Sequence, residues 1–392
     1  MMTDFADKAL LPAGFSDVLA PDAQFEASVL NRLLACFSGH GYDRVEPPLI
    51  EFEEGLLTGI GAGLAEQTFR LMDPESQRMM AVRADITPQV ARIAQARLAK
   101  APRPLRLSYA GQVLRVQGSQ LRPERQFMQV GAELIGAAGP AADAEVIAMA
   151  AAALIELGVA ELSCDLGLPA LVPAVIGDAE PSLQAKLRQA LDRKDAAAVA
   201  SLGGELGEAL TQTLAAMLSA AGPAAETLDA LGGLGFEGDA EDGRKLLADV
   251  VDRVRAARQD LKLTIDPVEN RGFEYHTGVT FTFFAKGVRG ELGNGGRYAA
   301  NGDGGKGGEP ATGFTLFMDT VLRALPAPES APRVFLPAGT PAGEAAKFRA
   351  QGWIAVAGLE AGADAETEAQ RLACSHLLDG GKIREIGKNK KG

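Results

Sequence analysis

The sequence predicts an α+β protein: an antiparallel sheet flanked by helices, with a helical insertion and a small C-terminal α/β appendage. Three observations support this prediction. Two strand-like stretches within residues 105–136, joined by the polar loop GSQLRP, favour an antiparallel hairpin. Alanine, leucine and charged residues at helical spacing dominate residues 166–262. After the proline-rich joint LPAPESAPR, short strand-like and helical patterns alternate.

The first elements follow from apolar periodicity and from proline. Apolar residues at helical spacing predict a helix over 25–37, which the following glycines end. A Pro-Pro pair excludes helix from residues 42–54, so this stretch is predicted to be extended. A strand, a turn and a helix with Pro88 in its first turn are predicted next. After the hairpin, an alanine-rich helix should end near Leu157.

Length and composition divide the chain. Since a single core stops growing near roughly 250–300 residues, 392 residues predict more than one domain. The main domain is predicted over 1–165 and 263–326, the helical insertion over 166–262, and the C-terminal α/β domain over 327–392. In this last domain helices are predicted at PAGEAAKFRAQ and AETEAQRLACSHLL, and strands at VFLPA and WIAVAG.

Strand character returns after the insertion and leads to a glycine-crowded stretch. EYHTGVTFTFFAKG and VRGELGNGGRY can pair as a hairpin through the AKGVRG turn. The stretch ELGNGGRYAANGDGGKGGEP is typical of a pocket floor that a ligand approaches closely. The helix expected to face this pocket opens GFTLFMDT, with an acid and a hydroxyl but no cation before Arg323.

Composition excludes several classes of protein. The apolar fraction of 47% and charged fraction of 23% are those of a soluble globular chain, and no run approaches the roughly 20 apolar residues of a membrane span. The N-terminus lacks the pattern of a secretory signal, so a cytoplasmic location is expected. A formal charge of −12 repels polyanions, so no nucleic-acid partner is expected. The three cysteines and three histidines are too scattered to predict a metal site.

Four stretches resemble the motifs of class II aminoacyl-tRNA synthetases, and of histidyl-tRNA synthetases in particular. GHGYDRVEPPLIE is similar to the dimer-forming first motif, and YAGQVLRVQGSQLRPERQFMQVGAELIG to the second, two antiparallel strands around a loop. RGFEYHTGVTFTF resembles the histidine-binding signature, and GNGGRY with PATGFTLFMDTVL resembles the third motif. Order and spacing over residues 10–325 identify the chain as a member of this family, which implies a class II synthetase-like antiparallel sheet.

The resemblance implies a retained histidine pocket. The residues at positions that contact histidine in the synthetases are Asp85, Thr87, Gln129, Glu133, Arg271, Tyr275 and Tyr298. Glu133 and Asp85 can accept hydrogen bonds from an ammonium or an imidazole, while Arg271 can pair with a carboxylate. A second tyrosine that the family places here is His276 in this chain, a change that could alter imidazole recognition.

The nucleotide half of the pocket departs from the family. Adenylation requires fixed cations around the phosphates of ATP. Arg115 retains the second-motif arginine and is a candidate contact for a nucleotide or another anion, but its companion acid is Gln117. The third-motif arginine, which grips the γ-phosphate, falls at Thr320. Because losing such a contact typically costs roughly two to three decades in rate, no catalytic residue is predicted.

A histidine-binding chain of this kind resembles the regulatory subunits of short-form ATP phosphoribosyltransferase, the first enzyme of histidine biosynthesis. The resemblance implies a chain that is not itself an enzyme, that uses no cofactor, and that activates a short catalytic subunit. It also implies self-association as a dimer within a hetero-octamer, with L-histidine as the allosteric feedback inhibitor. A C-terminal piece of about sixty residues, where a synthetase carries an anticodon-binding domain nearer one hundred, agrees with this prediction.

Two other functions remain open from the sequence. An active histidyl-tRNA synthetase would form the adenylate and charge tRNA, against which Thr320 and Gln117 argue. An amino-acid-binding paralogue that regulates another enzyme would leave phosphoribosyl transfer unchanged. For Arg115, Arg271 and Arg297, ion pairing inside a polar cleft is the alternative to ligand contact. Glu133 lies on a strand among apolar residues, so it requires a partner in either case.

Overall fold

The structure is a computed structural model that describes residues 10–120, 122–177, 179–269, 276–300, 308–327, 331–362 and 364–386. The chain divides into two compact units, Met1–Pro326 and Ala327–Gly392. The larger unit carries all of the predicted site residues that the structure describes.

The helices of the described residues occur in both units. They are α1 Asp22–Gly39, α2 Glu53–Leu56, α3 Thr87–Ala96, α4 Pro140–Leu157, α5 Leu171–Ile176, α6 Pro181–Asp192, α7 Ala196–Ser201, α8 Gly203–Leu206, α9 Glu208–Ser219, α10 Ala224–Gly232, α11 Gly238–Ala257, α12 Met318–Ala324, α13 Ala342–Ala350 and α14 Ala365–Arg371. Five of these helices, α5 to α9, follow one another without an intervening strand among the described residues. A 3-10 helix covers Gly59–Gln67.

The strands form three sheets. They are β1 Asp43–Arg44, β2 Ile50–Phe52, β3 Arg70–Met72, β4 Met79–Val82, β5 Leu105–Leu114, β6 Gln126–Ile135, β7 Leu162–Gly167, β8 Gly222–Pro223, β9 Lys262–Ile265, β10 His276–Ala285, β11 Gly293–Ala300, β12 Glu309–Phe317, β13 Arg333–Leu336, β14 Ile354–Ala357, β15 His376–Asp379 and β16 Lys382–Glu385.

The main sheet has the strand order β1-β5-β6-β12-β11-β10-β7-β9-β8, counted over the described residues. Its centre is antiparallel, and only β1 with β5 and β7 with β9 pair in parallel. The predicted β5–β6 hairpin is confirmed, with Leu105 opposite Ile135 and Leu114 opposite Gln126. The predicted hairpin through AKGVRG is also confirmed, because β10 and β11 pair antiparallel.

The two faces of this sheet are covered by different helices, as the alternation of side chains along a strand requires. On one face, α1 and α4 pack on residues such as Ala132 and Leu134, and Phe37 of α1 meets Phe314 of β12 edge-on at 5.4 Å. On the other face, α3 packs beside Tyr109 and Ile135. The candidate site lies on the α3 face, since Glu133 alternates with Ala132 and Leu134.

The helices α5–α11 fill most of the predicted insertion. They do not form a separate core: buried leucines of α6, α9 and α11 belong to one apolar cluster with α4 and the main sheet. The parallel strands β7 and β9 flank these helices in sequence and anchor both ends of the segment in the main sheet.

Two assignments made from sequence are wrong. The expected helix at GFTLFMDT begins only at Met318, because residues 309–317 form β12 between β6 and β11. Its β-branched and aromatic residues fit a buried strand better than a helix. In the smaller unit, the helix expected at AETEAQRLACSHLL ends at Arg371, and His376–Asp379 forms β15. There the apolar pair after His376 enters a sheet of order β14-β13-β15-β16.

Candidate functional site

The candidate site is a cavity of about 200 Å³ over the middle of the main sheet. Five of the predicted site residues line it: Asp85, Thr87, Arg115, Glu133 and Tyr298. Gln129 lies next to this lining, where it contacts Asp85. Arg271 and Tyr275 lie outside the described residues. The structure therefore brings together every predicted site residue that it describes, from elements far apart in the sequence.

Glu133 on β6 is the central group of the cavity. It is 1% exposed, and its carboxyl group accepts hydrogen bonds from three hydroxyls. Tyr298 donates to Oε2 at 2.9 Å, and Thr87 donates to Oε1 at 3.1 Å. Among the described residues no cation forms an ion pair with it. Burial raises the pKa of Glu133 to about 8, although the hydroxyl donors oppose this shift. The carboxyl group therefore keeps its proton near neutral pH unless a ligand supplies a positive charge.

Two glycines, which have no Cβ atom, leave room for the side chains of Glu133 and His276. Gly313 of β12 lies directly opposite Glu133, and a Cβ atom there would overlap its Oε2. Gly296 of β11 lies under His276, where a Cβ atom would come within 2.6 Å of the imidazole. The close approach of a ligand to these glycines stays a prediction; what the structure shows at the two positions is close approach by side chains of the chain itself.

Asp85 is held in place from two sides. Its Oδ1 accepts a hydrogen bond from the backbone N–H of Thr87 at 2.8 Å, and its Oδ2 accepts one from Gln129 at 3.1 Å. The oxygen of the same Gln129 amide accepts from the backbone N–H of Ile86 at 3.1 Å. Gln129 thus positions Asp85, which in turn presents its carboxylate to the cavity beside Glu133.

Tyr109 on β5 is a site residue that sequence reasoning missed. Its ring is completely buried, and its hydroxyl lies 3.3 Å from Glu133 Oε1 and 2.7 Å from Thr315 Oγ1. Burial raises the pKa of this phenol well above its usual value, so it stays a hydrogen-bond donor. The available signal in the sequence is a glycine, Gly131, within the second strand of the predicted hairpin. The structure pairs Gly131 with Tyr109 and leaves no room for a Cβ atom beside the Tyr109 ring.

The guanidinium end of the cavity is formed by Arg115 and Arg122. Burial lowers the pKa of Arg115, whose Nε makes no hydrogen bond within the described chain. Arg122, which sequence reasoning did not single out, donates through Nε to Asp319 at 3.2 Å and through a terminal nitrogen to Thr320 Oγ1 at 3.4 Å. Arg323 also donates to Thr320 Oγ1, at 3.1 Å. The position that lacks the third-motif arginine is therefore buried and approached by two other arginines.

Arg297 makes an ion pair within the chain, which is the alternative to ligand contact that the sequence leaves open. It forms an ion pair with Asp143 of α4 at 2.9 Å and donates to the backbone oxygens of Ala137 and Gly139 at 2.9 and 2.8 Å. Asp143 is fully buried and the Arg297 side chain is 10% exposed. This contact ties the beginning of α4 to β11, and Arg297 does not line the cavity.

No group of three or more histidine, cysteine or acidic side chains suited to a metal ion occurs among the described residues. Within the same part of the chain, no helix is both long and apolar enough to cross a membrane.

This fold and this pocket define a histidyl-tRNA synthetase-like protein of class II architecture, and the family model described as histidyl-tRNA synthetase matches residues 14–321. The ATP phosphoribosyltransferase regulatory subunit of Paramagnetospirillum magneticum is 57% identical over 98% of this chain and 100% of its own length. That of Rhodospirillum centenum is 57% identical over 96% of each chain. The crystal structure of an ATP phosphoribosyltransferase regulatory subunit/histidyl-tRNA synthetase from Bacillus halodurans superposes with a TM-score of 0.79 at 26% identity, covering 92% of this chain and 96% of the other. The chain belongs to the family of ATP phosphoribosyltransferase regulatory subunits.

Proposed function

We propose that this chain activates the catalytic subunit of a short-form ATP phosphoribosyltransferase and makes it sensitive to feedback inhibition by L-histidine, without catalysis of its own. The observation that carries the proposal is the buried Glu133, which has three hydroxyl donors but no cation among the described residues. A ligand that brings an ammonium or imidazolium group to this cavity would supply the missing charge.

Histidine fits the chemistry of the carboxyl groups in the cavity. Glu133 and Asp85 offer carboxyl oxygens to its ammonium and imidazole, and Tyr298 orients Glu133. The predicted contacts of Arg271 with the carboxylate and of Tyr275 with histidine complete this proposal. Histidine can inhibit only if it binds one conformation of the complex more tightly than the other, since equal affinity shifts no equilibrium.

The proposed assembly is a dimer of this chain within a hetero-octamer that includes the catalytic subunit. Exposed apolar side chains on the small sheet β2-β4-β3 support self-association: Met72 and its cross-strand partner Met79 are 57% and 40% exposed. Adjacent exposed apolar residues of this kind mark surfaces that other chains cover. A cytoplasmic location of the assembly belongs to the same proposal.

Reconstitution with a short catalytic subunit tests the function directly. Phosphoribosyl transfer is measured for the catalytic subunit alone, with this chain, and with this chain plus histidine. The expected result is stimulation by the chain and inhibition by histidine. Glu133→Gln should keep the stimulation and lose the inhibition, as should Arg271→Ala. Glu205→Gln, which changes an exposed glutamate on the surface pair with Lys186, should keep both.

Each outcome has one meaning. No stimulation by the wild-type chain would reject the activating role. Full histidine sensitivity of Glu133→Gln would place the effector site elsewhere. The synthetase alternative is tested with the isolated chain by ATP–pyrophosphate exchange in the presence of histidine, and formation of an aminoacyl-adenylate would establish it instead.

A further inference from the structure

Lys194 occupies a position where helix geometry favours glycine. The chain leaves α6 through a Schellman motif, in which the N–H of Lys194 donates to the oxygen of Leu191 at 2.9 Å and the N–H of Asp195 donates to that of Ala190 at 2.9 Å. Lys194 has a φ of +54°, in the left-handed region, which residues with a Cβ atom rarely adopt. Lysine holds this position although glycine would fit its backbone better.

The ammonium group of Lys194 connects the helical insertion to the turn that follows β9. Its Nζ atom lies 2.6 Å from Asp266 Oδ2 and 3.7 Å from Glu269 Oε2. The side chains of Lys194, Asp266 and Glu269 are 36%, 26% and 25% exposed, so water screens their attraction only in part. The contact therefore joins the end of α6 to the main sheet at the point where β9 ends.

Asp266 organises this turn through its remaining polar atoms. Its N–H donates to the oxygen of Leu166 on β7 at 3.0 Å, and its Oδ1 accepts a hydrogen bond from the N–H of Val268 at 3.2 Å. Val268 is 1% exposed and belongs to the apolar cluster that also contains Leu187 of α6. One carboxylate oxygen of Asp266 thus holds the backbone of the turn, and the other holds Lys194.

The same turn leads directly into the stretch that carries two predicted histidine contacts. Arg271 and Tyr275, which lie outside the described residues, follow Glu269 by two and six positions in the sequence. Because an extended chain spans at most about 3.6 Å per residue, the Cα atom of Arg271 lies within about 7 Å of that of Glu269. After this stretch, His276 lines the cavity. The location of the turn therefore limits where Arg271 can stand relative to the cavity.

We propose that Lys194 is a positioning residue for the effector site: through Asp266 it fixes the turn from which the histidine-binding signature starts. The proposal rests on the proposed function, which supplies histidine as the ligand. Lys194 does not line the cavity, so its removal should weaken histidine binding without removing a ligand contact. The helical insertion then contributes to effector affinity in addition to the apolar core.

Isothermal titration calorimetry of the full chain with L-histidine tests the proposal. Lys194→Gln removes the charge, and the affinity for histidine should fall roughly threefold to thirtyfold, as is typical when a residue that touches no ligand modulates a binding site. Lys194→Arg keeps a cation and should retain most of the affinity. Lys186→Gln is the matched control, because it removes a lysine of α6 that pairs with Glu205 on the surface; its affinity should stay unchanged.

Two further variants separate positioning from a loss of stability. Lys194→Gly suits the left-handed backbone, so this variant should fold at least as well at this position and still bind histidine as weakly as Lys194→Gln. Asp266→Asn keeps an oxygen for the N–H of Val268 and removes the charge that faces Lys194. Added to Lys194→Gln, it should cause little further loss of affinity, because both changes remove the same contact.

The outcomes distinguish this inference from the proposed function. Histidine binding by the wild-type chain with unchanged affinity in folded Lys194→Gln and Lys194→Gly would overturn the inference and leave the proposed function standing. An equal loss in Lys186→Gln, or fully additive losses in the double variant, would overturn it as well. A wild-type chain that binds no histidine would reject the proposed effector and this inference together. Circular dichroism of each variant verifies the folding.

Discussion

Replacing Glu133 by glutamine should make the stability of the protein much less dependent on pH. In the folded chain burial raises the pKa of this carboxyl group from 4.5 to about 8. Between these values the folded state keeps a proton that the unfolded state has lost. The free energy of unfolding therefore falls as pH rises, by about 1.36 kcal/mol per pH unit. Over about 3.5 pH units this effect reaches at most about 5 kcal/mol in the wild-type chain.

Glutamine removes this titration and keeps the shape of the side chain. Two of the surrounding hydroxyls can still donate to its oxygen, and the third can rotate to accept from its amide nitrogen. Urea unfolding of both chains at several pH values from about 5 to about 9 measures the effect. The wild-type chain should lose stability relative to Glu133→Gln as pH rises, and the difference should saturate above pH 8. Glu205→Gln, on an exposed helix surface, should follow the wild-type curve.

Parallel pH curves for wild type and Glu133→Gln would refute this reasoning, because they would mean that Glu133 ionises in the folded chain as it does in the unfolded one. Added histidine provides a second check. If its ammonium compensates Glu133, saturating histidine should reduce the pH dependence of the wild-type chain and leave the Glu133→Gln chain unchanged. A histidine effect of equal size in both chains would place the ligand elsewhere.

Three further perturbations address the packing around the site. Gly313→Ala should abolish histidine binding measured by calorimetry, because the new Cβ atom overlaps Glu133 Oε2; the cost in stability should be about 1–3 kcal/mol. Tyr109→Phe should lower the free energy of unfolding by about 1–3 kcal/mol and weaken histidine binding, since it leaves buried partners of the phenol without their hydrogen bonds. Asp143→Asn should lower the free energy of unfolding by about 3–5 kcal/mol, because Arg297 stays buried with a neutral partner, yet histidine affinity of the folded chain should be retained. Loss of histidine binding by folded Asp143→Asn would mean that this ion pair belongs to the site.

Parts of the fold that depend on local pattern could be predicted from the sequence. The β5–β6 hairpin has regular alternation and a polar loop, and its observed register pairs Tyr109 with Gly131. By contrast, the sequence at the end of β12 predicts the start of a helix, because a short apolar run without clear alternation fits either structure. Its strand conformation follows from pairing with β6 and β11, which lie far away along the chain.

The candidate site also has residues that the sequence predicts and residues that it does not. Residues such as Asp85, Glu133 and Tyr298 lie within motifs that the sequence displays, so their convergence in one cavity could be anticipated. The pair of Arg122 and Asp319 could not, because 197 positions separate the two residues and no local pattern links them. Only the folded chain shows that the loop after β5 places a cation against α12.

The groups that hold Glu133 suggest how binding in this cavity could be transmitted. Thr87 begins α3, Tyr109 belongs to β5, and Tyr298 belongs to β11, so three elements converge on one carboxyl group. A cation that binds Glu133 changes whether the carboxyl group is protonated, and hence the strength of all three hydrogen bonds. Any conformational change that moves α3 relative to the sheet alters the same contacts. Under the proposed function, ligand binding and the position of α3 would be coupled through Glu133, and a coupling of this kind is what the differential affinity of an allosteric effector requires.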